Sequence, residues 1–456
     1  MSTSDQLSAA SALGSYIAGV SYDMLPANVI REAKLRIADV VGIGLSGSRT
    51  SARNIKDFCK ISSKPGTATL WVCGQKLSAP YAALANGTMI FHLELDDVHR
   101  KSHTHPGVSC IPAAIALGEE YGISGRRLIE AVTAGYDACI RIGMAVSPSI
   151  YVDRTYLAPG TLSGFGAAAS AAKIIGADAV QAANILGAVS YYGPLAAYES
   201  FKLGAGIKDI IMGWGNLCGI YAADLVRAGF NGVDSSIDGE FGYCKTVSDR
   251  YDTERLYKDL GTVYEIVNTG VKPYACCRQH HSAIDCMLAL RKRYSFGLDD
   301  VRSVVVRTFT VSSRGNNKHP DTIPAAKYSI PYIMAAALKY GKVWREQFSD
   351  ELIRDNELLS FAQKVEVIAD SELDQLYDEK WPSIVEVELK NGDIISERRD
   401  LPLGEPESAC SEEEIHTKFI SLACDAVTEE KAEIIWKCIM NIDDCPNISA
   451  MTSLIE

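Results

Sequence analysis

Between Phe91 and Pro112 the sequence reads FHLELDDVHRKSHTHPGVSCIP, and this stretch holds four of the chain's eight histidines: His92, His99, His103 and His105. Glu94, Asp96 and Asp97 stand beside them. Imidazoles and carboxylates at this density can do two kinds of chemistry. The pattern D-D-x-H-x-x-x-H-x-H offers enough nitrogen and oxygen donors for zinc or a non-haem iron. The same groups can instead move protons, because neighbouring titratable side chains tune one another's affinity for a proton. A third reading makes them solvated loop residues, with one of the Asp96–Asp97 pair capping a helix. The acid–base reading is favoured. Ligands this close on one loop rarely all converge on one ion, and no second ligand cluster declares itself, so no metal is expected.

Two further stretches carry chemically useful residues. Gly204-Ala205-Gly206, flanked by Lys202 and Lys208, precedes a helix expected to begin near Ile207, so its backbone N–H groups and Lys202 are placed to hold a carboxylate. The alternative is a Gly-rich connection with surface lysines. In VKPYACCRQHHSAIDCMLAL, Lys272, Arg278, His280 and His281 lie just before an apolar helical run at an expected domain junction. A cleft there would gather a basic cluster suited to a polyanion. Cys276 and Cys277 are read as packing. Gly164-Phe165-Gly166 lacks the preceding strand and the downstream acid of a dinucleotide fingerprint and is read as helix packing.

The elements that must position these residues are mostly helical. PANVIREAKLRIADVVGIGL repeats its apolar residues at helical spacing with Pro26 in the first turn, and SARNIKDFCKI follows suit. TATLWVCG is a candidate strand. A small-residue apolar run, Tyr81 to Ile90, leads into the histidine-rich loop, and another, Ile111 to Leu117, leaves it. Ala- and Gly-rich helical patterns then continue to about Gly270, and small residues let such helices approach closely. Beyond Lys272-Pro273-Tyr274 the character changes. VRSVVVRTFTV reads as a strand, and IVEVELKNGDIISERRD as a hairpin with Asn391-Gly392 in a type I′ turn. ALKYG and DELIRDNELLSFAQKVEV read as helix. Ser411-Glu412-Glu413-Glu414 is a capping box that opens a helical run to Cys438. The expected fold is mainly α: a discontinuous helical domain over residues 1–268 and 401–456, with a smaller α/β lid inserted at 269–400.

Composition narrows the function. The chain has 456 residues and is 47% hydrophobic and 22% charged, with a net charge of −12. No Lys/Arg cluster exists to neutralise nucleic-acid phosphates, so nucleic acid is not an expected partner. A locally positive pocket for a small anion is still compatible with that charge. The thirteen cysteines show no C-x-x-C spacing, as in reduced thiols of an intracellular protein. The start, MSTSDQLSAASALGSYIAGV, has neither secretory nor transit-peptide character, and no long apolar run is present. A soluble, cytoplasmic protein without membrane contact is expected.

HLELDDVHRKSHTHPGVSCIPAAIALGEE, GTLSGFGAAASAAKIIG, Lys202-Leu203-Gly204-Ala205-Gly206 and KPYACCRQHHSAIDCMLAL, in that order, resemble the MmgE/PrpD family. Its activities include 2-methylcitrate dehydratase, cis-aconitate decarboxylase and iminodisuccinate epimerase. The resemblance implies a homodimer of helical-plus-lid subunits, no cofactor, and a site between the domains for a small di- or tricarboxylate. It implies catalytic roles for Asp96, Asp97, His105, Lys272 and His281. Substrate contacts are expected from Glu94, His99, His103, Lys202, Gly204, Arg278 and His280. Val98 stands where related sequences commonly have Thr. The family's F-H-P-T-G-T segment is here Tyr156-Leu157-Ala158-Pro159-Gly160-Thr161, without its histidine, so that role is either absent here or taken over by His99 or His103. The expected activity is a lyase that removes a proton next to a carboxylate, by preference dehydrating a citrate-like acid. Lys272 or His105 would take the proton. The other of the two, or His281, would protonate the departing hydroxyl, with Lys202 and Arg278 holding carboxylates. Decarboxylation of an aconitate-like acid, epimerisation of an iminodisuccinate-like acid and a silent carboxylate-binding relative are the alternatives.

Overall fold

The computed structural model describes residues 8–50, 52–233 and 235–456. The first seven residues of the start read for targeting, and Ser51 of the second helical run, lie outside them. The helical part runs through α1 (Ala9–Gly19), α2 (Ala27–Thr50), α3 (Ala52–Ser62), α4 (Ala79–His92), α5 (Pro106–Tyr121) and α6 (Gly125–Val146). It continues through α7 (Ser149–Val152), α8 (Ala158–Ile174), α9 (Ala179–Tyr192), α10 (Tyr198–Lys202), α11 (Ile210–Arg227) and α12 (Tyr243–Val247). TATLWVCG contributes to a two-stranded hairpin of β1 (Pro65–Leu70) and β2 (Gln75–Leu77).

The Ala/Gly composition has the expected consequence. α4, α5, α8 and α11 pack on one another as the buried centre. At Gly213 of α11 a Cβ would come 2.1 Å from the Leu84 carbonyl oxygen of α4, so only glycine allows this approach. The histidine-rich stretch is shorter as a loop than its composition implied: α4 extends to His92 and α5 begins at Pro106, with Pro112 inside it. Pro106 sits at the first turn, where its missing N–H costs nothing.

The α/β part holds α13 (His281–Tyr294), β3 (Val301–Thr308), α14 (Thr310–Ser313), α15 (Ile323–Lys327), α16 (Ile330–Tyr340), α17 (Asn356–Ala362), β4 (Val365–Ala369), α18 (Ser371–Asp374), β5 (Ser383–Leu389) and β6 (Ile394–Arg399). The sheet order is β4-β3-β5-β6, with β3 parallel to β4 and the other pairs antiparallel. Val301, Val304, Val306, Val365, Val385 and Val387 are its buried valines, and α13 packs on β5 and β6. Two expectations need correction. KVEV is not the end of a helix but strand β4, because it finds an open edge beside β3. The Asn391-Gly392 turn is not type I′, which needs positive φ at both central residues. Only Gly392 has it (φ 94°), and Leu389 N–H donates to the Asp393 carbonyl, which makes a three-residue loop with a left-handed glycine.

The chain then returns to the helical part through α19 (Glu412–Ala423), α20 (Glu429–Met440) and α21 (Ser449–Thr452). The capping box is formed: Ser411 Oγ accepts from Glu414 N–H, and the Glu414 carboxylate accepts from Ser411 N–H. The amphipathic run is broken at 424–428 into two helices, and both pack against α2. Among the described residues no helix is long and apolar enough to cross a membrane.

Candidate active site

The site grows from the C-terminal end of α4, where helix carbonyls lose their intrahelical partners and favour cations. Lysines from three distant segments meet them. Lys327 Nζ donates to the carbonyls of His92 (2.8 Å) and Leu93 (3.1 Å), Lys272 Nζ to that of Glu94 (3.3 Å), and Lys418 Nζ to that of Leu95 (2.8 Å). The backbone they grip is bent, with Glu94 at φ 57° and His103 farther along at φ 54°. Left-handed conformations cost energy for such residues and persist where surroundings enforce them.

So held, the loop presents its acids in different directions. Glu94 is buried and accepts from Lys208 Nζ at 2.7 Å, with Lys272 Nζ 3.5 Å from its other oxygen. Burial would raise its affinity for a proton, but the two ammonium groups outweigh that and hold it well below the usual carboxylate range. Asp96 is fully buried; its Oδ2 lies 2.6 Å from His105 Nδ1, and its Oδ1 is 3.9 Å from Lys272 Nζ with no hydrogen-bond partner. This dyad fixes the imidazole: Nδ1–H points to Asp96, leaving Nε2 for other work. Phe91 meets the His105 ring edge-on at 5.5 Å.

Between the helical and α/β parts lies a small cavity of about 50 Å³. Its polar and charged lining includes Glu94, His103, His105, Lys272 and Arg278. Its apolar wall includes Phe91, Tyr151, Leu157, Phe201 and Trp381. Leu157 thus sits on the cavity wall at the position where F-H-P-T-G-T would have put a histidine. His103 lines the same cavity, stacked between Tyr151 and Trp381 (5.9 Å to each ring centre), with Nε2 2.9 Å from the Tyr377 hydroxyl. Its Nδ1 is buried without a hydrogen bond, and burial pulls its pKa down to about 4, so the ring is neutral at pH 7.

Other expected site residues lie elsewhere. Asp97 faces away: Oδ1 accepts from Gly107 N–H (2.9 Å) at the start of α5, and Oδ2 accepts from the Tyr136 hydroxyl (2.6 Å). It is the helix-capping member of the pair, and burial, partly offset by Arg36, raises its pKa to about 6. His99 is turned to Ser102 and a separate polar hollow, and burial, with Arg100 and Lys101, lowers its pKa to about 3. His280 bonds Ser312 Oγ through Nδ1 behind the wall. His281 has both nitrogens engaged, with Arg278 Nη1 at 2.9 Å and the Cys276 carbonyl at 3.3 Å. Arg278 lines the cavity, but its guanidinium is committed to Glu405 (2.8 Å), the Leu403 carbonyl and His281. Gly204 is a packing point at φ 66°, where a Cβ would come 2.6 Å from Ala325 N.

Lys202 is the clearest correction. It ends the short helix α10 on the outside and is exposed. A 3₁₀ turn, Gly206–Asp209, instead carries Lys208 inward beneath the rings of Phe91 (5.0 Å) and Phe201 (5.7 Å). Glu94 and Asp209 outweigh the burial that would otherwise weaken its hold on a proton, and keep it an ammonium. Sequence reasoning also passed over Lys327, whose pKa burial pulls down to about 8. Its only signal was a lone charge in the apolar run IPAAKYSIPYIMAAAL. Among the described residues no three His, Cys, Asp or Glu side chains converge as a metal-binding group.

A carboxylate-anchored imidazole facing a small cavity, with buried ammonium groups behind it, is an arrangement able to do acid–base chemistry. The chain belongs to the MmgE/PrpD family. The model of the MmgE/PrpD N-terminal domain matches residues 11–256, and that of the C-terminal domain residues 274–444. The second match takes in the helical return α19 and α20 together with the sheet. Cis-aconitate decarboxylase of Aspergillus terreus is 25% identical over 468 residues, covering 97% of this chain and 94% of that protein. Human cis-aconitate decarboxylase is 25% identical over 462 residues, covering 96% and 93%. The mouse protein of the same name is 24% identical, covering 96% and 92%. Family and relatives together support a lyase.

Proposed function

We propose that the chain is a cofactor-independent lyase that cleaves carbon dioxide from an unsaturated tricarboxylic acid of the cis-aconitate type. The observation that carries this reading is the Asp96–His105 dyad at 2.6 Å facing the cavity, with Lys272 3.9 Å from the same carboxylate. In the step, the C–CO₂ bond breaks, its electron pair forms a new double bond, and the former alkene carbon takes one proton from His105 Nε2. Solvent returns that proton. Asp96 stabilises the imidazolium, and Lys272 and Lys208 neutralise Glu94, so that this buried acid does not repel the substrate's remaining carboxylates. The apolar wall strips water from the departing carboxylate, which favours its loss as neutral carbon dioxide.

Dehydration of a citrate-like acid, the activity expected first, is the second reading. The observation that favours it is His103, a second imidazole on the cavity wall, neutral and so able to accept a proton while His105 protonates the leaving hydroxyl. The test is incubation with cis-aconitate and, separately, with 2-methylcitrate in deuterated water. Gas release from the first supports decarboxylation, and alkene formation from the second supports dehydration. Neither, with no deuterium uptake, would refute both.

Two copies are proposed to pair through the face of α9, α11 and the 230–241 loop, where Tyr191 is 93% exposed and Phe241 89%. An apolar surface of this kind calls for a partner. All thirteen cysteines are free, which supports placing the protein in the reducing cytoplasm.

A further inference from the structure

The cations around the cavity are nearly all committed. Lys208 is paired with Glu94 and Asp209, Lys272 lies near Glu94 and Asp96, and Lys327 caps two helix carbonyls. Arg100 and Arg278 meet on Glu405, and Arg100 also binds Glu407. Three lysines thus face Glu94, Asp96 and Asp209, and two arginines face Glu405 and Glu407, so this shell carries no surplus positive charge. A substrate with three carboxylates would bring uncompensated charge into a buried space, which is costly unless a cation meets it.

Arg314 is the exception among the described residues of this region. It follows α14 in the α/β part and is half-buried. It reaches across to the helical part, where its guanidinium carbon lies 5.9 Å from the Tyr151 ring centre and 5.7 Å from that of Tyr198. Its guanidinium makes no hydrogen bond or ion pair with any described residue. Tyr151 is part of the cavity wall and stacks on His103. A guanidinium lying on aromatic faces keeps its N–H groups free in its own plane, where a carboxylate can take two of them at once.

We propose that Arg314 anchors a substrate carboxylate at the aromatic end of the cavity, away from the Asp96–His105 dyad, and so selects acids with a third, remote carboxylate. This rests on the reading of the cavity as a carboxylate site.

The test uses an unreactive pair of ligands, propane-1,2,3-tricarboxylate and glutarate, titrated calorimetrically into the full-length protein and into R314Q and R314K. In R314Q the tricarboxylate should lose about 10- to 100-fold in affinity, the worth of a charge-assisted pair, with glutarate changed less than about twofold. R314K should fall between, because it keeps the charge without the fork. Tricarboxylate binding as tight in R314Q as in the parent overturns the proposal, as does an equal loss for both acids. Should R314Q fail to fold, R314K decides: loss confined to the tricarboxylate supports the anchor, and parental binding overturns it. A parent protein that binds neither acid overturns the carboxylate reading itself, and this proposal with it.

Discussion

Replacing Asp96 by Asn tests the dyad most directly. The amide is isosteric but can offer its NH₂ to His105 Nδ1, which places the remaining ring proton on Nε2, the nitrogen that must exchange it. To donate that proton readily the ring must be an imidazolium, and its Nδ1–H would then lack the 2.6 Å charge-assisted bond that the carboxylate now supplies. That bond is worth about 1.5–3 kcal/mol, and a neutral Nε2–H, a far weaker acid than an imidazolium, adds a further one or two. A barrier raised by about 4 kcal/mol slows turnover roughly 10³-fold, and removal of a dyad carboxylate elsewhere costs up to about 10⁴. The assay is steady-state carbon dioxide release from cis-aconitate, or alkene formation if the second reading holds, with a thermal melt beside it. The variant should keep its melting temperature within a few degrees, since Asn fills the same space. A kcat within tenfold of the parent would refute the reasoning.

Lys208→Met strands Glu94 as a buried carboxylate with one more distant partner and should destabilise by about 3–5 kcal/mol, read by denaturant titration; Lys202→Met should change nothing measurable. His103 has its pKa lowered on folding, so its contribution to stability is present above about pH 6.5 and is lost as pH falls towards about 4. His103→Phe should therefore lose less stability than the parent between pH 7 and pH 5, by about 2 kcal/mol, and parallel curves would exclude the buried neutral imidazole. Tyr191→Ser with Phe241→Ser should shift sedimentation from a dimer towards a monomer at micromolar concentration, and an unshifted dimer would place the interface elsewhere.

The parts of the site legible in the sequence are those whose chemistry is confined to a short stretch. Asp96 and His105, nine residues apart, meet across one loop, and Lys272 joins them from the far junction the basic cluster marked. The acid pair held its own warning, since one of two adjacent aspartates was expected to cap a helix, and Asp97 does so. What was not legible depends on local turn geometry or on partners far along the chain. Nothing in KLGAGIKD says that α10 would stop at Lys202 and that a 3₁₀ turn would carry Lys208 inward. Strand β4 looked helical because its period was read alone, whereas its state is set by the edge of β3. His99 and His103 are four residues apart on one polar loop. Only the hydrogen bonds of His99 to Ser102 and the aromatic stack around His103 separate their surroundings.

The four carbonyls from His92 to Leu95 are held by Lys272, Lys327 and Lys418, so the geometry of an early segment depends on residues made much later. During synthesis the chain would have to be extended beyond α19 before the Leu95 carbonyl found its cation. The histidine-rich loop is therefore among the last features of the molecule to reach its final form, even though its residues emerge in the first quarter of the chain. The same ties couple reactivity to completeness: a protein that has lost its final helices would keep every acid and imidazole of the motif without the frame that aims them.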